Sequence, residues 1–365
     1  MTKLTIQLPA KAYDLVFDAV GMANLGAYVA GVWSPRQVAV ITDTKVGPLY
    51  AQMVKSSLLA AGFNVTVLTL PASEGTKSLT TLGQVSQTLA QHGFTRADGI
   101  VALGGGVIGD LAGLVAALYM RGISFIQVPT SLTAQVDASV GGKTAVNLTQ
   151  TKNVLGAFYQ PDFVLIDPTF LDTLTDRDLV EGYGEVVKVS ALAGGYFFDQ
   201  TGKIQTVADL RQQAAALTVA SVGYKAEVVM ADEKEAGRRQ VLNFGHTIGH
   251  AIELEAKGKL RHGEAVAVGM VAITRYFEHV GISAPGLTEA LAERLMAVGL
   301  PLRSSLMGKP AFFDHLVNDK KQRGGKINLV ALSKPGQPRI LTKELTAFPN
   351  IIKTIQNLEG GATAE

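Results

Sequence analysis

Short apolar runs alternate with amphipathic helical patterns in the first half of the chain. Four runs rich in β-branched and aliphatic residues predict buried strands, at 37–42, 64–70, 99–103 and 123–128. The segments between them have helical periodicity, at 48–61, 78–92 and 110–119. Strands that alternate with helices of ten or more residues are typical of βαβ units. The pattern therefore predicts a mostly parallel sheet covered by helices.

From about residue 176 the pattern changes, and long helical segments replace the alternation. They lie at 178–192, 207–232, 242–255, 263–280 and 288–298. A chain of 365 residues exceeds one typical hydrophobic core, so two domains are expected. We predict an α/β class protein, with a Rossmann-like, mostly parallel sheet domain at 1–177 and an all-α domain at 178–365.

Composition narrows the classes of function. Lys and Arg number 33 against 31 Asp and Glu, which argues against a nucleic-acid binder with a broad basic face. The absence of cysteine excludes disulfides and thiolate metal sites and agrees with a reducing cytosol. The first ten residues lack the apolar core of a secretory signal, so we expect a cytoplasmic protein. The apolar stretch 99–120 contains Asp110 and several glycines, which favours a buried strand, turn and helix over a membrane span.

A glycine-rich turn follows the third predicted strand. Gly104, Gly106 and Gly109 satisfy the pattern G-x-G-x-x-G, in which backbone N–H groups and a helix N-terminus bind a pyrophosphate. A tight turn needed only for packing is the alternative. The turn lies later in the chain than the usual dinucleotide fingerprint, and Asp43, at the end of an earlier strand, could bind the ribose hydroxyls. Gly142, which begins the tripeptide GKT, does not belong to a phosphate-binding P-loop, because Asp137 stands where that motif needs glycine.

The stretch 241–264 holds three of the six histidines, His246, His250 and His262. The first two are four residues apart on a predicted helix, so they project from one face. Imidazoles from two helices commonly bind Zn²⁺, and without cysteine a remaining protein ligand should be a carboxylate. The first histidine lacks the adjacent glutamate of zincin proteases. Histidines that only cap helices or donate hydrogen bonds are the alternative.

Two further segments carry candidate chemistry. The long segment 128–153, rich in lysine and small residues, is typical of a functional loop. In the helix that follows, Glu185 is a candidate for the missing carboxylate ligand. Its i, i+3 neighbour Lys188 makes a surface ion pair the alternative. Other polar residues, among them Lys225 and Arg239, are individually typical of a solvated face.

Six motifs in order closely resemble the 3-dehydroquinate synthase family of sugar phosphate cyclases. They are GGGVIGD, RGISFIQVPTSLTAQVDASVGGKTAVN, EVVK, NFGHTIGHAIE, HGEAVAVG and DKK. The resemblance runs from about residue 38 to 332. It implies an NAD-binding α/β domain at 1–177, a helical metal- and substrate-binding domain at 178–365, and a site between them. It also implies NAD and a divalent metal, Zn²⁺ or Co²⁺, as cofactors.

The resemblance assigns roles to individual residues. The implied metal ligands are Glu185, His246 and His262. The implied catalytic residues are Lys143, Asp137, Lys188, Glu235 and His250. The implied substrate contacts are Arg121, Lys143, Lys152, Asn153, Lys188, Lys225, Arg239, Asn243, His250 and Lys320, with Lys321 as the alternative to Lys320. The implied NAD contacts are Asp43, Glu74, Lys77, Gly105, Gly106, Val107, Ile108, Gly109, Asp110, Thr130, Ser131, Lys143, Lys152, Phe170, Leu171, Asp172 and Thr173. His250 then serves the substrate phosphate rather than the metal, unlike the interpretation from its spacing alone.

The family reaction converts 3-deoxy-D-arabino-heptulosonate 7-phosphate to 3-dehydroquinate and phosphate in the shikimate pathway, which leads to chorismate and the aromatic amino acids. Arg121 matches an arginine that the family lends to the neighbouring subunit, which implies a homodimer. No nucleic acid or membrane partner is expected. Two departures, DTK after the Asp43 strand and SEGTK at 73–77, affect adenosine-side contacts rather than the chemistry.

Three other functions are compatible with parts of this sequence. A metal-dependent polyol dehydrogenase of the glycerol dehydrogenase type would share the architecture but does not need a lysine-rich phosphate site. A related cyclase acting on another sugar phosphate would not need the dehydroquinate pattern at Asn243, His250, Lys225 and Lys320. A non-catalytic scaffold would be expected to lack at least one of the three metal ligands, and all three are present.

Overall fold

The computed structural model describes residues 1–148, 151–320 and 325–361, and the side chains of all of these except 317–320 and 361. The chain forms two compact units. The first contains Met1–Leu174 and Lys225–Lys234, and the second contains Thr175–Tyr224 and the chain from Glu235 onward. The roles predicted for residues 1–177 (NAD binding) and 178–365 (metal and substrate binding) stay predictions.

The first unit is built on a seven-stranded sheet. Its strands are β1 (Thr2–Gln7), β2 (Ala12–Phe17), β3 (Gln37–Asp43), β4 (Asn64–Leu70), β5 (Gly99–Gly104), β6 (Ser124–Pro129) and β9 (Phe163–Ile166), with β7 and β8 described below. Their spatial order is β1-β2-β9-β6-β5-β3-β4. The pair β1 and β2 is antiparallel, and the other pairs are parallel. The predicted mostly parallel sheet is confirmed.

Both faces of this sheet are covered. Within β5, Val101 and Leu103 belong to one hydrophobic cluster, while Ile100 and Ala102 belong to a second cluster. Alternate side chains of a strand point to opposite faces, so a strand buried on both sides has a continuous apolar sequence. The helices of this unit are α1 (Leu25–Ala30), α2 (Gly47–Ala60), α3 (Leu79–Gln91) and α4 (Gly106–Leu118).

The segment 128–153, expected to be a loop, contains regular structure. A π-helical turn spans Ala134–Ala138, and a separate antiparallel hairpin pairs β7 (Lys143–Leu148) with β8 (Thr151–Phe158). The strand prediction failed here because small and polar residues interrupt the alternation that marks a half-buried strand. In β8, Val154, Leu155 and Phe158 are exposed.

The second unit is mainly helical, as predicted. Its helices are α5 (Asp176–Ala193), α6 (Gly195–Thr201), α7 (Val207–Ala231), α8 (His246–Ala256), α9 (His262–His279), α10 (Leu287–Met296), α11 (Pro310–Lys320) and α12 (Phe348–Gly361). The last residues of α7, from Lys225, belong to the first unit. The unit also contains a hairpin, β10 (Lys326–Leu332) with β11 (Pro338–Glu344), which the all-α prediction missed.

Helix α9 packs against α5, α8, α10 and α12 and is almost wholly buried over its first four turns. Two glycines permit its close approaches. A Cβ on Gly263 would lie 1.9 Å from the carbonyl oxygen of Glu181, and one on Gly269 would lie 2.1 Å from that of Gly245. The helix predicted over 242–255 is interrupted where Gly245 takes the left-handed conformation, with φ 77°. The chain before Gly245 is a 3-10 turn, and α8 begins at His246.

Among the described helices, α7 alone is long and apolar enough to cross a membrane by length and composition. Half of its most apolar window is buried inside the protein. A buried core helix passes the same test, so this helix is weak evidence for a membrane span.

Candidate active site

Three imidazoles converge where α8 meets the start of α9. The rings of His246 and His250, one turn apart on α8, have centroids 5.0 Å apart. The ring of His262, the first residue of α9, lies 5.3 Å from that of His246. One nitrogen from each ring lies within 4.8 Å of the others. The predicted convergence of the three histidines is therefore confirmed.

Glu185 brings a carboxylate to this cluster from α5. Its Oε1 lies 3.6 Å from Nε2 of His246 and 3.3 Å from Nε2 of His262. Two ligand atoms bound to Zn²⁺ at about 2.0–2.1 Å in tetrahedral geometry stand about 3.4 Å apart, so these atoms fit a shared divalent cation. Two histidines and one glutamate are also the donor set of several catalytic zinc sites. The arrangement supports Glu185, His246 and His262 as one donor set, and His250 stands close enough to serve as another donor.

Glu185 and Lys188 form a buried ion pair, with side chains 0% and 1% exposed. The surface ion pair considered from the sequence is wrong. Nothing in an i, i+3 spacing distinguishes an exposed pair from a buried one, because burial is set by the packing of α5 against α9. A buried ion pair is worth little net stability, since desolvation offsets the attraction, so stability alone does not account for the burial of these two charges.

In each of the two histidines that face Glu185, the Nδ1 atom has a partner of its own. Nδ1 of His246 is 3.1 Å from the carbonyl oxygen of Phe244, and Nδ1 of His262 is 3.0 Å from Oε2 of Glu253. A carbonyl or carboxylate can only accept, so both Nδ1 atoms donate and both Nε2 atoms point toward Glu185. Glu253 was not among the predicted site residues, although it ends the motif NFGHTIGHAIE. Its position one turn after His250 was the available signal.

The two histidines differ in electrostatics. Burial and the nearby charge of Lys188 hold the pKa of His246 well below its ordinary value. Burial also lowers the pKa of His262, but hydrogen bonds to Glu185 and Glu253 outweigh it, and the pKa stands well above the ordinary value. A neutral His246 has its Nε2 lone pair available to a cation, whereas at His262 a proton and a metal compete for Nε2.

A second set of ion pairs fixes the start of α9. Arg177 donates to both carboxylate oxygens of Glu264, at 2.7 and 3.0 Å, and the same carboxylate accepts from the backbone N–H of Arg261 at 2.9 Å. Arg261 in turn donates to Asp178 at 2.6 Å. Burial raises the pKa of Glu264, but the bonds from Arg177 and Arg261 lower it by more than burial raises it. The net pKa is therefore below its ordinary value. These contacts tie the helix that carries Glu185 to the helix that begins at His262.

In the first unit, the glycine turn forms the N-terminus of α4. The helix begins at Gly106, so the turn supplies its first residues, and its N-cap residue, Gly105, has no side chain to cap it. A Cβ on Gly104 would lie 2.8 Å from Cβ of Ile108, so packing requires that glycine, whereas one on Gly109 would approach only the terminal amide oxygen of Gln127, at 2.9 Å. A Cβ on Gly105 or Gly106 would meet only atoms 3.4 Å away or farther. Packing does not explain those two, whereas a phosphate held by backbone N–H groups would.

A network of polar side chains, among which Lys77 is buried, includes Asp110 of the same helix. Lys77 donates to Asp110, in the first turns of α4, and to the side-chain oxygen of Asn153. Burial raises the pKa of Asp110 above its ordinary value, although the charge of Lys77 lowers it. Glu74 accepts from Asn147 at 2.7 Å and lies 3.7 Å from Lys152. The predicted residues Glu74, Lys77, Asp110, Lys152 and Asn153 thus form one contiguous network in the first unit.

The other predicted NAD contacts line the same edge of the sheet or the segment after β9. Asp43 ends β3, where its carboxylate accepts from the backbone N–H groups of Lys45 and Val46. Thr130 and Ser131 follow β6, and Thr130 donates its backbone N–H to the carbonyl of Gly104 at 3.0 Å. A 3-10 helix from Pro168 to Thr173 contains the last four predicted NAD contacts, Phe170 to Thr173. There the side chains of Phe170 and Leu171 are in the core, while Asp172 and Thr173 are exposed.

Several predicted substrate residues are buried rather than on solvated faces. Lys225 donates to both the carbonyl and the carboxylate of Asp137, within the first unit. Arg239 is 1% exposed, and Asn243 donates to Glu235 at 2.6 Å, both in the second unit. Glu235 has a positive φ of 59°, a conformation that costs energy for a residue other than glycine and is often found at functional sites. The solvated-face interpretation of Lys225 and Arg239 is therefore wrong.

The remaining predicted residues lie elsewhere. Lys143 is exposed at the start of β7, and Arg121 is exposed in the turn after α4 with φ 66°. Lys320 ends α11, but its side chain lies outside the described residues, as does all of Lys321.

The fold and the two sites define a class of protein. An α/β unit with an uncapped glycine turn precedes a helical unit with a His-His-Glu cluster, and solved cyclases share this fold. A structure of 2-deoxy-scyllo-inosose synthase, complexed with carbaglucose-6-phosphate, NAD⁺ and Co²⁺, is 27% identical, with a TM-score of 0.86, and the match covers 97% of this chain and 100% of that one. A 2-epi-5-epi-valiolone synthase from Streptomyces hygroscopicus subsp. jinggangensis 5008, with NAD⁺ and Zn²⁺ bound, is 26% identical, with a TM-score of 0.86 over 96% of this chain and 98% of that one.

Within this class the family is established by sequence. Residues 67–181 match the family model for the 3-dehydroquinate synthase N-terminal region, and residues 182–322 match that for the C-terminal region. A 3-dehydroquinate synthase of Leuconostoc citreum (strain KM20) is 58% identical over 96% of this chain and 98% of that relative. The chain belongs to the 3-dehydroquinate synthase family, and the predicted resemblance is confirmed.

Proposed function

We propose that this chain converts 3-deoxy-D-arabino-heptulosonate 7-phosphate to 3-dehydroquinate and phosphate, using NAD and a divalent metal. The observation that carries the proposal is the Glu185, His246 and His262 cluster in a chain 58% identical to a 3-dehydroquinate synthase. The family reaction consists of transient oxidation, elimination of phosphate, return of the hydride and an intramolecular aldol closure.

Glu185, His246 and His262 are the proposed metal ligands. Bound there, Zn²⁺ or Co²⁺ supplies Lewis acidity and a fixed point for orienting the substrate oxygens. The protein's own part is to hold the three donor atoms in place, with Nδ1 of both histidines already engaged. His250, in van der Waals range of the other two rings, is proposed to serve the substrate phosphate instead of the metal.

NAD is proposed to bind at the N-terminus of α4. The N-cap residue of this helix is Gly105, which has no side chain to occupy the helix N-terminus, and Gly105 and Gly106 leave the backbone accessible to a pyrophosphate. Asp43, at the end of the neighbouring strand β3, is proposed to accept from ribose hydroxyls. When bound, NAD⁺ supplies the hydride acceptor, and the surrounding residues supply position and exclude side reactions.

The substrate carries a phosphate and a carboxylate, so its site needs cationic residues and neutral hydrogen-bond donors. The proposed set in the first unit is Arg121, Lys143, Lys152, Asn153 and Lys225, and the set in the second unit is Lys188, Arg239, Asn243, His250 and Lys320. Asp137 and Glu235 are proposed to move protons or to position these groups, because each carboxylate touches a member of the set. Burial of Lys188, Lys225 and Arg239 supports the proposal, since a charge shielded from water interacts more strongly with an anion.

The polyol dehydrogenase alternative is not favoured. A probable glycerol dehydrogenase from Sinorhizobium meliloti 1021 is 17% identical with a TM-score of 0.62 over 94% of this chain and 96% of that one, which shows the fold alone. A dehydrogenase that takes an uncharged polyol does not need buried cations.

A homodimer is part of the proposal. Arg121 is exposed in the turn after α4, beside the exposed apolar side chains of Leu118 and Met120. Its φ of 66° is strained for a residue other than glycine, and such strain is often found at functional sites, which supports a role for this turn. Arg121 is proposed to enter the site of a second copy. We expect a soluble cytoplasmic enzyme with a small-molecule substrate and neither nucleic acid nor membrane partners.

The test is a joint assay of phosphate and NADH. The purified chain with Zn²⁺ or Co²⁺, a trace of NAD⁺ and the heptulosonate phosphate should release one phosphate per substrate consumed without net NADH. Steady NADH formation from glycerol, together with no phosphate release from the heptulosonate, would establish the dehydrogenase instead.

A further inference from the structure

We infer that Glu253 is a positioning residue that sets the orientation and ring tautomer of His262 for metal binding. The inference rests on the metal site of the proposed function. Oε2 of Glu253 is 3.0 Å from Nδ1 of His262, on the side of the ring opposite the Nε2 that lies 3.3 Å from Glu185. The imidazole is thus held between two carboxylates, one on α8 and one on α5.

The contact has a defined donor and acceptor. An ionised carboxylate accepts hydrogen bonds only, so Nδ1 of His262 carries a proton, and Nε2 is the nitrogen that binds a cation once the cation has displaced any proton there. A carboxylate that accepts from the second ring nitrogen also makes the imidazole a stronger base toward the metal. The Glu253 side chain is 13% exposed, so water screens this interaction weakly.

His246 shows by contrast why Glu253 matters. Its Nδ1 donates to the carbonyl of Phe244, a backbone group two residues away and therefore fixed by the local turn. His262 opens a different helix from the one that carries Glu253, so its ring orientation depends on a side-chain contact between α8 and α9. A change at residue 253 can therefore release one ligand without changing the backbone that carries it.

The same helix provides a matched control. Glu255, two residues further along α8, has its carboxylate 3.6 Å from Nε2 of His315. It is also a glutamate paired with a histidine, and its side chain is 20% exposed. Removing either carboxylate changes the charge and helical propensity of α8 equally, but only Glu253 contacts the histidine cluster.

The experiment measures metal affinity directly. The proteins compared are the full-length chain and its Glu253→Ala, Glu253→Gln and Glu255→Ala variants, each stripped of metal and titrated with Co²⁺ against a chelator. Visible absorption of bound Co²⁺ reports the ligand geometry, and the melting temperature of the metal-free protein reports folding. Glu253→Ala should bind Co²⁺ about 10–100-fold more weakly, with an altered Co²⁺ spectrum. Glu253→Gln keeps an oxygen acceptor without the charge, so its loss should be smaller.

The outcomes separate this inference from the proposed function. Glu253→Ala binding with the affinity and spectrum of the unmodified chain overturns the positioning role, as does an equal loss in Glu255→Ala. A lower melting temperature with unchanged affinity assigns Glu253 a structural role and also overturns it. Failure of the unmodified chain to bind Co²⁺ or Zn²⁺ would instead contradict the metal site itself.

Discussion

Gly263 lies so close to α5 that a Cβ atom on it would stand 1.9 Å from the carbonyl oxygen of Glu181. The backbone N–H of Gly263 also donates to the Glu181 carboxylate at 3.2 Å. This approach holds the two helices that present Glu185 and His262. The glycine in the motif HGE is therefore required by the distance between two ligand-bearing helices.

The Gly263→Ala variant should displace the start of α9 from α5. Overpacking of this kind costs about 1–3 kcal/mol of unfolding free energy, and the displacement should also lower the metal content of the purified protein. Gly223→Ala is the control, because Gly223 lies within α7 and a Cβ there would meet nothing within 4 Å. That variant should be neutral or more stable by about 0.5–1 kcal/mol. Denaturant unfolding and metal analysis of both variants check the prediction, and normal metal content in Gly263→Ala contradicts it.

His262→Ala and His250→Ala should differ in what they lose. We expect His262→Ala to lose bound metal and nearly all turnover. We expect His250→Ala to keep its metal but to have a higher KM or a lower kcat for the phosphorylated substrate. The geometry places one nitrogen of each within reach of a common ion, so the distinction needs a measurement. Metal content and steady-state kinetics of the two purified variants decide it. If His250→Ala loses the metal and His262→Ala retains it, the roles are reversed.

A shared site predicts complementation between inactive variants. Arg121→Ala and Lys143→Ala should each be nearly inactive, and both residues are exposed, so neither change should damage the core. If Arg121 completes the partner's site, a mixed dimer contains one site with both defects and one with neither. Mixing the variants under conditions of subunit exchange should restore up to about half of the activity per mixed dimer. Exchange demonstrated by differently tagged subunits without any recovery would argue against a shared site.

Glu278 should make stability depend on pH in the acid range. Its carboxylate accepts from the backbone N–H groups of Gly286 and Thr288, at 2.5 and 3.0 Å, before and within the first turn of α10. Burial raises the pKa of Glu278, but the bonds from Thr288 and Gly286 and the charge of Arg275 lower it below its ordinary value. A carboxyl group with a lowered folded-state pKa stabilises the fold above its unfolded pKa, and this contribution is lost as the pH falls through the folded pKa.

The Glu278→Gln variant should therefore be less stable by about 1 kcal/mol near pH 7, and the difference should shrink below about pH 4. Glu289, an exposed glutamate in the first turn of α10, provides the control Glu289→Gln with the same loss of charge. Denaturant unfolding with a chelator present, so that metal binding does not contribute, measures both. A difference for Glu278→Gln that stays constant across the acid range would show that its charge is not responsible.

The sequence predicted those features that local pattern determines. Strands β3 to β6 have runs of β-branched and aliphatic residues, with glycine or proline near at least one end of each, and their bounds agree with prediction to within about one residue. The histidine cluster followed from spacing within α8 and proximity of the next helix. The short strand β9 and the hairpin of β7 and β8 were missed. A run of only four apolar residues, as in β9, is too short to identify a strand, and strands rich in small residues, as in the hairpin, resemble a loop in composition.

Burial was the part of the site that the sequence did not determine. Lys188, Lys225 and Arg239 have the sequence context of solvated residues, yet each is buried. The reason lies in contacts between distant segments, such as Lys225 with Asp137, which are 88 residues apart. Glu253 was missed for the same reason, since its partner His262 belongs to another helix.

In the proposed reaction, the hydride removed from C5 of the substrate returns to C5, and phosphate leaves in between. The most direct measurement uses heptulosonate 7-phosphate labelled with deuterium at C5, unlabelled NAD⁺ in trace amount and the full-length chain with Zn²⁺ or Co²⁺. Mass spectrometry of the carbocyclic product and a phosphate assay are made on the same sample. We expect one phosphate per product molecule, with the deuterium retained in the product. Loss of the deuterium to free NADH, or consumption of substrate without phosphate release, would contradict the claim.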